Sequence, residues 1–246
     1  MVRLSEFSTV APSGIRKQEI QEETRIMASR IGELAEILHA ENKRSVLVIL
    51  QGMDCSGKDG SAKNVFQACS PMHCHGIGFK KPTDEEFARD FLWRVHRHTP
   101  RNGMITVFNR SHYEDVLIQR VHQWITEDQV TDRICAINAF EKLLIKDNDT
   151  SVLKFYMHIS YEKQGEKLQD RIDNPDNQWK HNEGDWRERK YWKDYRVAYE
   201  DVINRSEVPW IIVPADQRWY RNHFIAKHVL QTMESLDMKK PLLGDG

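Results

Sequence analysis

An α/β fold, with a parallel sheet flanked by helices on both faces, is predicted by three features of the 246-residue sequence. Short apolar runs recur along the chain, amphipathic helical patterns separate them, and the first run leads directly into a glycine-rich turn. The runs are "VLVIL" (46–50), "MITVF" (104–108), "VLKFYMHI" (152–159) and "WIIV" (210–213), with "GIGFK" (76–80) as a weaker fifth strand. Near-continuous apolar strands are what a sheet covered on both faces requires.

The elements follow in order. Residues 15–41 read as an amphipathic helix, because Ile20, Met27, Ile31, Leu34 and Leu38 fall near helical spacing. "TDEEFARDFLWRVHRH" opens with a capping box, Thr83 with Glu86, and then lines Phe87, Phe91 and Val95 on one stripe. Residues 160–205 form an unusually long helical stretch between two strands and are expected to be an inserted lid. With no internal repeat or linker, the chain reads as one domain over 1–246.

Composition bounds the function. Lys+Arg number 36 against 37 Asp+Glu, a net charge of −1, so no global field attracts nucleic acid and any polyanion site must be built by local placement of cations. The longest apolar run has five residues, Val46 to Leu50, too short to span a bilayer. The first residues lack the apolar core of a signal peptide. Four cysteines without a C-x-x-C pair fit reduced thiols, and a cytoplasmic location is expected.

"QGMDCSGKDG" (51–60) has the G-x-x-x-x-G-K spacing of a phosphate-binding loop, placed between a strand and a helix. Backbone N–H groups and the following helix N-terminus cradle phosphate oxygens in such a loop, and Lys58 would reach the transferring phosphate. Asp59 stands where a magnesium-binding Ser or Thr is usual. A carboxylate there suits the helix N-terminus, so metal binding falls first to Asp54. After the second strong strand, "NRSHYEDV" supplies Asn109, Arg110, Glu114 and Asp115. Arg110 has the planar fork of a phosphate clamp, and a salt bridge to Glu114 is its structural alternative. Asp115 suits either a magnesium ligand or a helix cap.

Cations recur near these motifs. Lys163, Lys167 and Arg171 share one helical face, which is either a solvated stripe or a lid closing over a phosphate chain. Charge counting leaves that open, since residues 163–196 hold nine Lys/Arg and eight Asp/Glu. Lys80 and Lys81 at a strand end, Arg94, Arg97 and Arg101, and Arg120 add donors. Trp192, Tyr195, Tyr199 and Val202 have the spacing of a packed helix, which disfavours base stacking on single-stranded nucleic acid. "CSPMHCHG" (69–76) lacks the paired spacing of a zinc site.

Five ordered stretches, "GMDCSGKDG", "GFKKPTDEEFARDFLWRVHRHTP", "VFNRSHYEDVLIQRVH", "DNQWKHNEGDWRERKYWKDYRVAYEDVINRS" and "PWIIVPADQRWYRNHF", together resemble the polyphosphate kinase 2 family over about residues 15–235. "GKDG" and "FNRS" look like its class III, which accepts both nucleoside mono- and diphosphates. The resemblance implies a P-loop NTPase-like fold with a helical lid, and phosphoryl transfer from inorganic polyphosphate to AMP, ADP or their guanine equivalents. Transfer is in line, with Mg²⁺ or Mn²⁺ and no covalent intermediate, in a homodimer or homotetramer. An ATP-dependent nucleoside monophosphate kinase of the thymidylate kinase type is the alternative.

Carried over, the catalytic set is Asp54, Lys58, Arg110, Asp115 and Arg171, with Asp54, Asp115 and Glu114 as metal ligands and Asn109 in a polar structural role. Phosphate or polyphosphate binding falls to Gly52, Gly57, Gly60, Lys63, Lys80, Lys81, Arg94, Arg120 and Lys167. Cys55-Ser56 replaces the family's usual pair of alanines, and Asn109 replaces an Asp of other branches.

Overall fold

β1 (Ser45–Gln51) is buried along its whole length and alternates its side chains between two apolar layers. Val46, Val48 and Leu50 pack on one side with Ile31, Leu34 and Leu38 of α1 (Lys17–Glu41) and Ile225, Val229 and Met233 of α10 (Arg218–Ser235). Leu47 and Ile49 pack on the other side with Phe140 and Leu144 of α6 (Glu127–Asp147). This two-residue period is how one strand feeds helices on both faces. The computed structural model describes residues 1–243.

Around β1 the sheet has the order β2-β3-β1-β4-β5, and every pairing is parallel. β2 is Cys74–Gly78, β3 Ile105–Asn109, β4 Thr150–His158 and β5 Trp210–Pro214. The weak fifth strand expected from "GIGFK" is thus real, shifted two residues earlier, at the exposed edge. Parallel order gathers all carboxyl ends on one rim, where open α/β sheets bind ligands. That rim carries the glycine loop and α2 (Lys58–Val65) after β1, and α5 (Glu114–Val121) after β3. Among the described residues no helix is long and apolar enough to cross a membrane.

Two expectations are corrected. The helix expected over 83–98 is broken into single turns, α3 (Asp84–Phe87) and α4 (Trp93–His96). The capping box forms as expected, but the Asp90 carboxylate accepts from the Leu92 amide at 3.0 Å, an alternative to continued helix. Phe87 is consequently exposed while Val95 is buried. The helical stretch 160–205, expected as a lid, divides in two. Its last helix, α9 (Trp192–Arg205), buries Ala198, Tyr199, Val202 and Ile203 in the main core and belongs to the body. The inserted cover is α7 (Tyr161–Asp173), α8 (Glu183–Glu188) and the 3-10 turns beside them.

Close approach of α1 to the turn after α2 depends on Gly32, where a Cβ would lie 2.6 Å from the Ala68 carbonyl oxygen. Gly32→Ala gains roughly 1 kcal/mol of helix propensity but overpacks a backbone neighbour, so we expect a net loss of about 1 kcal/mol or more. Urea unfolding measures this; unchanged or higher stability would show that the contact yields freely.

Candidate active site

The loop 52–57 curls because several of its residues take backbone angles with positive φ: Gly52 at 151°, Cys55 at 62° and Gly57 at 92°. Glycine at 57 is needed twice over, since a Cβ there would also sit 2.1 Å from an Arg221 guanidinium nitrogen. Lys58 folds back under the loop and is 8% exposed. Its ammonium donates to the carbonyls of Gly52 and Met53 at 2.7 and 3.0 Å and to Ser56 Oγ at 3.4 Å. Burial, reinforced by Arg110, lowers its pKa to about 8.

Beneath the loop lies Arg221 in the first turn of α10, 2% exposed. It donates to Ser61 Oγ at 2.8 Å and to the Ser56 carbonyl at 3.2 Å. Above the loop lies α7, with Gln164 donating to the Asp54 carbonyl and Lys167 to the Cys55 carbonyl, each at 3.1 Å. Burial and nearby Arg221 lower the Lys167 pKa to about 8. Arg171, one turn on, pairs with Asp185 of α8 at 2.5 Å.

After β3 the chain turns sharply through Arg110, whose φ is 62°. Its guanidinium pairs with Glu114 at 3.0 Å and contacts Asp54, so both carboxylates, Glu114 first, hold the group charged. Asn109 donates to Asp59 across the loop. Asp185 is pushed above its ordinary carboxylate value by burial and by Asp54 facing it.

Two cavities open here. A basic one of about 750 Å³ is lined by Lys58, Lys80, Lys167, Arg171, Lys180, Arg218 and Arg221 among others. A smaller one of about 230 Å³ is lined by Leu117, Ile118, Trp192, Tyr195 and Tyr199, with Glu114 and Glu188. Asp54, Arg110, Asn182 and Asp185 line both, so the cavities meet at a seam of one cation, two acids and an amide.

The sequence from 14 to 241 matches the family model described as polyphosphate kinase 2 (PPK2). The chain belongs to the polyphosphate kinase 2 family. It is 41% identical over 228 residues to an AMP/ADP-polyphosphate phosphotransferase of Meiothermus ruber, covering 92% of this chain and 85% of the relative. An ADP-polyphosphate phosphotransferase of Rhodopseudomonas palustris is 37% identical over 240 residues, covering 92% of this chain and 83% of the relative. The crystal structure of polyphosphate kinase 2 from Arthrobacter aurescens superposes with a TM-score of 0.95 at 36% identity, over 99% of this chain and 89% of that one.

Against this polyphosphate kinase 2 fold, most predicted residues converge. Asp54, Gly57, Lys58, Gly60, Lys80, Asn109, Arg110, Lys167 and Arg171 line the basic cavity, and Gly52 and Glu114 line the aromatic one. Asp115 does not join them. It is 4% exposed, pairs with Arg94 at 3.0 Å, and accepts from Gln119 at 2.9 Å. Successive residues on a helix point about 100° apart, so Glu114 and Asp115 cannot both face the rim. The structure thus places Asp115, expected as a catalytic and metal-binding residue, and Arg94, expected as a phosphate contact, in a buried ion pair away from both cavities. Arg94 instead donates to the Lys80 carbonyl at 2.9 Å and fixes that strand end. Arg120 is taken by Glu127 and Asp201 at 2.6 and 2.7 Å, while Lys63 and Lys81 are exposed and line neither cavity.

Gln164, Lys180, Asp185, Arg218 and Arg221 carry no pattern that sequence reasoning singles out. Lys180 and Asp185 stand inside the quoted stretch "DNQWKHNEGDWRERKYWKDYRVAYEDVINRS", and Arg218 and Arg221 inside "PWIIVPADQRWYRNHF", but without a role of their own. Among the described residues no three carboxylate, thiol or imidazole groups converge as a metal cage. Mg²⁺ needs no such cage, since it binds through one or two carboxylates plus waters and phosphate oxygens. Asp54 and Asp185 are the two carboxylates at the seam that would offer hard oxygen ligands, and Asp54 facing Asp185 makes an acidic pair that a cation would relieve.

The lowered lysines predict a pH dependence. A bound oxyanion favours the ammonium forms of Lys58 and Lys167, so their pKa values rise on binding from about 8. Anion affinity should therefore be greatest below that pH and fall as pH rises through it, with proton uptake on binding at higher pH. Calorimetric titration with tripolyphosphate between about pH 7 and 9 in two buffers checks this. Affinity independent of pH would contradict the assigned environment of Lys58.

Proposed function

We propose that the protein transfers the terminal phosphoryl group of inorganic polyphosphate to nucleoside mono- and diphosphates, with the polymer in the basic cavity and the nucleoside in the aromatic one. The observation that carries this is the shared seam: two cavities of opposite character open on the same Arg110, Asp54 and Asp185. A polyanion suits the first, and a flat base beside aromatic rings suits the second.

An oxygen of the acceptor phosphate attacks the terminal phosphorus. The bond from that phosphorus to the bridging oxygen breaks, and the polymer leaves one unit shorter as an oxyanion. The attacking oxygen is already anionic near neutral pH, so the reaction asks for little general-base help. The barrier lies in bringing two polyanions into line, and catalysis is positioning with charge neutralisation. Lys58 and the loop amides hold the transferring group, and Arg110 exchanges its carboxylate partners for phosphate oxygens at the seam. Mg²⁺ held by Asp54 and Asp185 would neutralise phosphate charge there. α7 and α8 close over the polymer with Lys167 and Arg171. The same reading, resting on family resemblance, includes assembly into two or four chains and a cytoplasmic location.

Phosphorus NMR of protein, Mg²⁺, polyphosphate and AMP without ATP should show ADP and then ATP. Turnover that requires ATP and ignores polyphosphate would support a nucleoside monophosphate kinase and reject this reading. Lys58→Ala should lower kcat/KM by about 2 kcal/mol or more, as removal of one preorganised donor does. Arg171→Ala should lower turnover while the protein still unfolds cooperatively, because the Arg171–Asp185 pair joins α7 and α8 of the cover and not the main core. Full activity in either variant would contradict the site as assigned.

A further inference from the structure

The turn after β3 sends its side chains in two directions. Asn109, Arg110 and Glu114 face the cavities, whereas Ser111, His112 and Tyr113 point inward and are fully buried. Under them lies a buried polar cluster, touched also by Ser206, whose Oγ is 3.4 Å from Tyr113 Oη. Tyr113 Oη donates to Glu141 Oε1 at 2.9 Å, and His112 Nε2 lies 3.4 Å from the same oxygen. Lys154 Nζ donates to the other Glu141 oxygen and to Tyr113 Oη, both at 2.7 Å. His112, Tyr113, Glu141 and Lys154 are all 0% exposed, and none of them lines either cavity.

Glu141 is on α6 and Lys154 on β4, so the cluster ties the turn to both the sheet and the helix that covers it. A buried ion pair adds little net stability compared with apolar side chains of similar volume, because desolvation offsets the attraction. What it does impose is direction. Both oxygens of the carboxylate are occupied, and each partner must keep its place to avoid an unpaired buried charge. Two residues upstream of this anchor, Arg110 sits in the left-handed region that a side chain disfavours. Such a conformation persists only where its surroundings over-determine it.

We propose that Glu141 and Lys154 are positioning residues: by anchoring His112 and Tyr113 they hold Arg110 in its left-handed conformation, aimed at the seam between the two cavities. The functional consequence rests on the reading of Arg110 as the phosphate-contacting group. The cluster touches no substrate, and its effect on turnover passes through the turn.

The test replaces the cluster with apolar groups, Tyr113→Phe with Glu141→Leu and Lys154→Met, so that no buried charge is left alone. We expect cooperative unfolding, a kcat about tenfold lower or more, and KM values for AMP and polyphosphate within about twofold. In an Arg110→Ala background the same replacement should change kcat less than about twofold, as for groups acting through one another. A crystal structure of the replaced protein should show Arg110 out of the left-handed region. Unchanged kcat with Arg110 still at positive φ would overturn the proposal, as would an equal loss in the Arg110→Ala background. Should the triple variant fail to unfold cooperatively, Tyr113→Phe alone is read by the same comparisons, with a smaller kcat loss expected only when Arg110 is present. A wild-type protein that moves no phosphoryl group would refute the functional reading alone, because the conformation of Arg110 is seen independently of turnover.

Discussion

Lys58 is an ammonium held inside the protein by two backbone carbonyls and a hydroxyl, and among the described residues no carboxylate forms an ion pair with it. Neutral oxygens compensate a buried charge only partly, which is why its pKa falls to about 8. The loop is therefore folded around a buried, hydrogen-bonded ammonium that has no carboxylate paired with it among the described residues. An oxyanion brought to the loop completes what the protein leaves open, and the backbone amides and α2 add to the same attraction. Gly57, the Arg221 support beneath it and the α7 cover above it all serve to hold that charge in place.

Two arginines of the site are handled differently. Arg110 rests on Glu114 and Asp54, and Arg171 on Asp185. This reconciles a net charge of −1 with a site for polyanions. The cations are concentrated on one rim while Arg110 and Arg171 are neutralised locally, and in the proposed reaction a phosphate chain would displace carboxylates that could then turn to a divalent metal. In the proposed function, exchange of partners would set the electrostatics of binding with no need for a large standing positive field. It also gives the cover a mechanical role, because α7 and α8 carry both the cation and the acid that releases it.

Much of this is legible in residue order. Strands leave a two-residue or unbroken apolar signature and the glycine loop has fixed spacing, so the sheet, the loop and Lys58 all follow from local pattern. Arg110 stands out because it follows a strand end directly. What escapes are facts of angle and of partner. Glu114 and Asp115 are indistinguishable by spacing to the strand, yet one faces the rim and the other is claimed by Arg94. Arg120 looks available until Glu127 and Asp201, the second remote in sequence, come to meet it. Arg221 and Asp185 have no periodic signature, since their place depends on how α10 and the cover dock. α9 reads as lid because its helical pattern runs on from the cover, although its Tyr199 and Val202 stripe is core. Pairings over long sequence separation are decided by packing, and local pattern carries no record of them.

The division of labour between the cavities is tested most directly by a crystal structure with tripolyphosphate and AMP bound in the absence of divalent metal. The account predicts the polymer's terminal phosphate against Lys58 with its chain running toward Arg171 and Arg218, and adenine among Trp192, Tyr195 and Tyr199. Adenine in the basic cavity, or a polymer settled away from Lys58, would contradict it.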